Sequence, residues 1–472
     1  MEERLLRQPF FRRIRMIKEA LILAGGAGTK FWPYQSFRNK AMVPISTTPL
    51  LEHTIAALLE AGLTHIVVAS VQHTDKIVHA FRKQPEVDVV HLSESKGCAD
   101  TFLKGLPHLL SPDEPFAVLY GDCLIQPEDL IPFIQKAALH DALVYPLRES
   151  AHNVVACALK NGHIKTFGGH HRGQEMTHAM AGVIVDQRLK AVCEKNPGRF
   201  TNLKVGVGSP EEHYLEVSLM DAMTDGMELR TVLAQQPVFD VDKPWHALEA
   251  NAWLNQKRCQ ALTETVCETG ASIDPAARVD GFVHLGKNSR IGAGVWIRGP
   301  IIVGNDTVID HGVTVGQYTV IGDQCEVLNY AKLGEGTTLG HRCKMDQGFE
   351  VLSGLIMDHV YLVHYGEYYG MIGENTDLGA GTTCGTLRFD DGNSVHTVKG
   401  RKEIPAHFAN ASYLGDNART GVCAVLMPGV KVGVNSVVGS GVILSEDVDD
   451  NTLIYVKQDT VKVPWGPNKY GW

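Results

Sequence analysis

The residues best suited to chemistry lie between positions 17 and 49. Leu23-Ala24-Gly25-Gly26-Ala27-Gly28-Thr29-Lys30 runs into Phe31-Trp32-Pro33, and Asn39-Lys40-Ala41-Met42-Val43-Pro44-Ile45 follows. Glycines directly after an apolar run let backbone N–H groups approach phosphates closely, and a lysine behind them adds positive charge. The spacing is neither that of a Walker A loop nor that of a dinucleotide-binding loop. As a glycine loop alone, a tight turn without a ligand accounts for it nearly as well.

The elements that must position this loop come from residues 17–255. Short apolar or β-branched runs at Ala20–Ala24, Ile66–Ser70, Val87–Leu92 and Phe116–Tyr120 predict strands, and Pro49–Ala61, with apolar residues three and four apart, predicts a helix. Alternating strands and helices imply a Rossmann-like, mostly parallel α/β sheet, whose ligands bind at the carboxyl ends of strands. The glycine loop starts at such an end.

From Ile273 the period changes. Ile273, Val279, Leu285, Ile291, Ile297, Val303, Ile309, Val315, Ile321, Val327, Leu333, Leu339 and Met345 follow one another at a spacing of six, with glycine after seven of them. The series resumes at Leu414, Leu426, Val432, Val438 and Leu444. A sustained hexapeptide period predicts a parallel β-helix in which inward residues of successive turns stack. The hexads stop in an aromatic- and histidine-rich stretch, read as an interruption at 346–370, either a packing loop or a projection on one face. The expected organisation is a basic extension at 1–16, an α/β domain at 17–258, a linker at 259–272, a β-helix at 273–456 and a tail at 457–472.

Composition narrows the function. A formal net charge of −9 speaks against a broad nucleic-acid surface, so no nucleic-acid partner is expected. Ten cysteines without any C-x-x-C pair argue against structural zinc and for a reducing, cytoplasmic setting. There is no apolar run of the length a membrane span needs, so no membrane association is expected. The first fifteen residues, ending FFRRIR, lack the apolar stretch of a secretory signal; they read as an extension ahead of a start at Met16 or as a weak surface anchor.

At the first loop the chain resembles the sugar-1-phosphate nucleotidyltransferase signature L-x-G-G-x-G-T-R-x-x-P followed by P-K-x-x-x-P-[IV]. Over about residues 17–455 it resembles the branch of that family with a C-terminal left-handed β-helix, which includes bifunctional uridylyltransferase/acetyltransferases. The resemblance implies that Leu23, Ala24, Gly25, Gly26, Gly28 and Thr29 wrap a nucleoside triphosphate. It implies that Lys30 faces the departing pyrophosphate and that Lys40 contacts the reacting phosphates. Gly97 and Cys98 stand in a motif that reads the base, and Gly182 and Glu216 at sugar-contacting positions. Asp122 and, in FDVDKPWHALEAN, Asp240 match the two magnesium aspartates. Taken from the residues alone, two separated carboxylates with substrate phosphates suffice for Mg²⁺, whereas a lone strand-end aspartate serves equally well as a cap.

Departures from the family pattern limit what carries over. Lys30 replaces an arginine and loses its bidentate fork. The E-K-P motif expected near 168–170 is Phe167-Gly168-Gly169-His170-His171-Arg172, where Arg172 or the histidines are candidate replacements. Leu92 stands where a base-reading glutamine is often found. In the second domain, 379–392 and 398–403 resemble an acyl-acceptor region and His364 is the candidate acyl-transfer base, one place out of register and without its aspartate; Gly385 replaces an asparagine. The reading is therefore an enzyme making a nucleoside-diphosphate sugar, a UDP-sugar from UTP by resemblance, from a sugar 1-phosphate with Mg²⁺. Its alternatives are a β-helix acyltransferase using acetyl-CoA, alone or as a second activity, and a silent sugar-nucleotide sensor. The resemblance also implies a homotrimer.

Overall fold

The computed structural model describes residues 16–147, 154–169, 176–198 and 211–467. The expectations for the N-terminal extension at 1–15 and for His170, His171 and Arg172 lie outside them. The chain divides into two compact units, one of residues 1–257 with 395–409, the other of 258–394 with 410–472. Among the described residues no helix is long and apolar enough to cross a membrane.

The first unit is built on a nine-stranded sheet. Its strands are β1 (Glu19–Ala24), β2 (His65–Ser70), β3 (Val87–His91), β4 (Phe116–Tyr120), β5 (Asp141–Pro146), β6 (Ala156–Lys160), β7 (His163–Gly169), β8 (His178–Val185) and β9 (Arg230–Leu233). Their order across the sheet is β3-β2-β1-β4-β8-β5-β9-β7-β6. The parallel arrangement expected from the sequence runs through β3, β2, β1 and β4, and again between β5 and β9; β8, β7 and β6 run against their neighbours. Central strands are apolar along nearly their whole length because both faces are covered: all of β1 is buried, its leading Glu19 included, as are Ile66–Ala69 and Phe116–Leu119. Helix α1 (Leu50–Glu60) buries Leu51, Ile55 and Leu58 on one stripe. The last helix of the unit starts with proline, at Pro244, a first-turn position that needs no N–H partner.

The second unit is a parallel β-helix with one short strand per hexad. Every third strand stacks in register: Leu285 over Val303, Ile321 and Leu339; Ile291 over Ile309, Val327 and Met345; Ile297 over Val315 and Leu333. The hexad residues from Leu285 to Met345 are buried, while Ile273 and Val279 at the first coil are half-buried. The glycines after them are steric necessities. A Cβ on Gly334 would lie 1.8 Å from the carbonyl oxygen of Leu352 in the next coil.

Three boundaries differ from the sequence expectation. The linker at 259–272 already contains ladder strands, Val266–Cys267 pairing with His284–Leu285 and Ser272–Ile273 pairing with Arg290–Ile291. The stretch 346–370 is no interruption: Lys344–Met345 pairs with Tyr361–Leu362, and Glu350–Ile356 pairs onward with Glu367–Ile372. Coils shorten there, contacts such as His341 to Asp358 spanning 17 residues instead of the 18 between Lys287 and Asn305, so the hexad pattern slips although the ladder continues. The insertion lies further on, where Arg419 meets Asp377 across 42 residues. Its hairpin, His396–Val398 with Arg401–Glu403, belongs to the first unit rather than to the β-helix.

Candidate active site

The glycine loop leaves β1 at Ala24, and Gly121–Asp122 leaves β4 beside it, tied by the Gly121 N–H donating to the Leu23 carbonyl at 3.0 Å. Gly28 has φ 62°, a left-handed conformation that starts the short turn Thr29–Phe31. The second half of the motif is held by Asn39. Its buried amide donates to the carbonyls of Ala24 and Gln72 and to the Ser70 hydroxyl, while its Oδ1 accepts from the Ala41 N–H. Lys40 is thereby aimed at the carboxyl ends of β1 and β4. Across from it, the two-residue ladder of Cys123–Leu124 with Phe239–Asp240 sets Asp240 opposite Cys123. Further back, Asn251 on the last helix accepts from the Ser46 N–H, which fixes the end of the motif.

The glycine loop, Lys40 and the end of β4 line a cavity of about 410 Å³, the size of an ordinary small-ligand site. Leu23, Ala24, Gly25, Gly26, Gly28, Thr29, Lys30, Lys40, Gly97, Cys98 and Asp122, all singled out in the sequence, line it. Asp240 is outside the lining, but its carboxylate, that of Asp122 and the Cys123 sulfur lie within 4.8 Å of one another. Glu216 is buried in the first turn of the helix Leu215–Thr224, and Gly182 is packed in β8 against Leu119; neither is a lining residue. His364 is in the other unit, exposed, with no hydrogen bond among the described residues.

The charges are strongly coupled. Lys40 pairs with Asp122 and, at 3.2 Å, with Asp242; Lys30 pairs with Asp242 at 3.0 Å. Burial works against the Lys40 ammonium, but Asp122, Asp242 and Asp240 outweigh it and lift its pKa well above the usual lysine value. Burial, then the neighbouring Asp122 and Asp242, pushes the Asp240 carboxyl well up. Asp242 goes the other way: burial opposes its charge, yet Lys40, Lys30 and His246 hold it well below the carboxylate range. Burial presses His246 down to about 3, and its neutral Nδ1 accepts the Asp242 N–H. Burial also lifts Glu216 to about 7.

Two negatives follow for the chemistry. Burial, then Glu216 and Glu212, raises the Cys98 thiol well above its ordinary value, so it is not a thiolate nucleophile. Cys123 is likewise kept protonated by burial, Asp240 and Asp122, and sulfur is a poor ligand for a hard cation. What remains is a pair of carboxylates, Asp122 and Asp240, whose mutual repulsion a divalent cation would relieve. That donor set fits Mg²⁺ bound with substrate phosphates.

Seven lining residues were not anticipated, and Ser95, Lys96 and Thr101 among them flank the Gly97–Cys98 motif. Asp242 stands where the family motif V-G-K-P-W has glycine, and that mismatch in FDVDKPW was the one available signal. Glu211 and Glu212 come from a segment with no motif, and Lys399 from the hairpin inserted in the β-helix sequence.

A glycine-lysine cradle at strand ends beside a carboxylate pair defines an enzyme of the nucleotidyltransferase class. The Nucleotidyl transferase family model matches residues 19–156, and that of the hexapeptide repeat of succinyl-transferase matches 283–317 and 414–446. The bifunctional protein GlmU of Methanococcus maripaludis is 31% identical over 448 residues, covering 94% of this chain and 98% of the relative. That of Methanocaldococcus jannaschii is 26% identical with the same coverage. The bifunctional sugar-1-phosphate nucleotidylyltransferase/acetyltransferase of Sulfurisphaera tokodaii is 24% identical, covering 91% of this chain and 98% of the relative. The chain belongs to the family of these bifunctional GlmU proteins.

Proposed function

We propose that the cavity joins a nucleoside triphosphate to a sugar 1-phosphate, releasing pyrophosphate and a nucleoside-diphosphate sugar. The observation that carries this is the convergence of Lys30 and Lys40 with Asp122 and Asp240 beneath a glycine loop. The name of the Sulfurisphaera relative supports the substrate class. UTP is the triphosphate implied by the family resemblance.

In this reading an oxygen of the sugar phosphate attacks the α-phosphorus as the bond to the β-phosphate breaks. Gly25, Gly26 and Gly28 leave backbone N–H groups free to meet phosphate oxygens, and Gly97 and Cys98 flank the base. Lys40 leaves its carboxylate partners to meet the charge developing on the reacting phosphoryl group, and Lys30 meets the leaving pyrophosphate. Asp122 and Asp240 would hold Mg²⁺, which when bound offsets phosphate charge. Glu216 and Gly182 belong to the sugar side. Catalysis is thus positioning and electrostatics, with no covalent intermediate.

The test is pyrophosphate release from purified protein with Mg²⁺ and each triphosphate against a panel of sugar 1-phosphates. Asp122→Ala should lose at least about a hundredfold in kcat, as removal of one preorganised electrostatic group does. Activity near that of the unaltered protein would remove Asp122 from the mechanism, and no release with any pair would overturn the reading.

The β-helix carries a second reading, acetyl transfer from acetyl-CoA, which the name of the Sulfurisphaera relative supports; the amino-sugar phosphate acceptor and His364 as base are implied by the family resemblance. Thiol release that survives His364→Ala would remove that residue, and no thiol release would remove the activity. The threefold association implied by the resemblance is tested by light scattering, where a monomer mass would refute it.

A further inference from the structure

The cavity has an unequal supply of usable positive charge. Four lysines line it, Lys30, Lys40, Lys96 and Lys399, against the carboxylates of Asp122, Asp242, Glu211 and Glu212. Lys30 and Lys40 are already engaged by Asp242 and Asp122. The ammonium groups of Lys96 and Lys399 have no carboxylate partner among the described residues, although the Lys96 backbone N–H donates to Asp100. Lys96 adjoins Gly97 and Cys98, on the side assigned to the base. Lys399 has no assigned role, and it comes from the insertion that interrupts the β-helix coils in the sequence.

The hairpin that carries Lys399 is firmly seated in the first unit. Glu403 accepts from the ammonium of the buried Lys243, the residue next to Asp242. His396, across the ladder from Glu403, packs on Trp245 with ring centroids 5.0 Å apart, and its Nε2 bonds the Ala409 carbonyl. The base of the hairpin is therefore docked beside the carboxylate that holds both phosphate-side lysines. Three residues of extended chain, about 10 Å, lead from His396 to the tip. There Lys399 has φ 47° and Gly400 φ 75°, the two left-handed residues of a type I′ turn. Asn, Asp or Gly suits the first of these positions; a lysine is conformationally costly there. What distinguishes this turn is that Lys399 at its tip lines the cavity.

We propose that Lys399 is a phosphate-binding residue of the nucleotidyltransferase cavity, delivered by the hairpin at 395–409 to the β- and γ-phosphates of the triphosphate and, in the reverse reaction, to pyrophosphate. The proposal rests on the nucleotidyltransferase reading given above. An added lysine on the leaving-group side is chemically apt, because Lys30 offers a point charge and not a bidentate fork, and Asp242 has already neutralised part of it.

Lys399→Ala should raise the KM for the triphosphate, and for pyrophosphate in the reverse direction, by about five- to tenfold, the loss expected for one exposed charge-assisted contact. The KM for the sugar phosphate should stay within about twofold, and Lys399→Arg should restore the other two. Lys402→Ala, on the same hairpin but outside the cavity lining, should change none of them. Unchanged KM values in Lys399→Ala, or an equal effect from Lys402→Ala, would overturn the proposal. Should the unaltered protein release no pyrophosphate at all, the nucleotidyltransferase reading fails first; calorimetry with inorganic tripolyphosphate then tests Lys399 without turnover, and equal Kd values for the unaltered and Lys399→Ala proteins would overturn it.

Discussion

The two units use charge and apolar surface in opposite ways. In the β-helix, stacked Val, Ile and Leu supply the core, and ion pairs such as Lys332–Glu350 and Lys344–Glu326 run along exposed ladders one coil apart. Such pairs contribute at most about 1 kcal/mol each. In the first unit the decisive ion pairs are shielded, and they join residues 202 and 212 positions apart. A solenoid places a residue by its nearest neighbours; the α/β unit places charges against one another that no local rule would pair. Stability and chemistry are therefore separable in the β-helix and entangled at the nucleotide cavity.

That contrast can be broken at Lys40. Lys40→Ala strands three shielded carboxylates, Asp122, Asp240 and Asp242, and should destabilise the first unit by about 4 kcal/mol in the absence of divalent cations, the usual cost of removing one partner of a buried pair. Urea unfolding followed by tryptophan fluorescence reads it, and a change under about 1 kcal/mol would mean that solvent already screens the cluster.

The converse probe is Ile309, fully buried between Ile291 and Val327 in one stack. Ile309→Ala should cost the β-helix about 3 kcal/mol and leave pyrophosphate release within about twofold, since each coil supports mainly its neighbours. Parallel loss of nucleotidyl transfer would contradict the separation.

Glu216 sharpens the comparison through pH. Burial raises its folded pKa to about 7 from an ordinary 4.5, so the folded state binds the proton more tightly than the unfolded one. Its contribution is complete below pH 4.5 and is lost as pH rises through about 7. Glu216→Gln should therefore gain on the unaltered protein between pH 5 and pH 8, by about 2.5 kcal/mol in melting experiments. A difference that does not change with pH would deny the buried carboxylate this role.

How much could be read beforehand varied with the same contrast. The strands at Ala20–Ala24, Ile66–Ser70 and Phe116–Tyr120 and the helix at Pro49–Ala61 were legible because their apolar periods are local. The glycine loop and Lys40 were legible because one short contiguous motif holds them. Asp242 was not, because its one signal, a mismatch with the family motif in FDVDKPW, does not announce that two distant lysines converge on it. The β-helix was legible as a fold, yet its insertion was misjudged: at 346–370 shortened coils break the six-residue period without breaking the ladder, whereas the true excursion at 395–409 hides behind a motif likeness.

By itself the sequence determined two things, a phosphate-suited loop at the end of an apolar strand and a stack of hexads. Both follow from repetition or adjacency along the chain, where steric and hydrophobic rules act over a few residues. Tertiary structure alone decided which charges face the ligand. It brought Asp242 between Lys30 and Lys40, set Asp240 beside Asp122, and turned a hairpin out of the β-helix sequence so that Lys399 lines the nucleotide cavity. Electrostatic partnership depends on distance in space and on shielding from water, and neither is written in sequence separation.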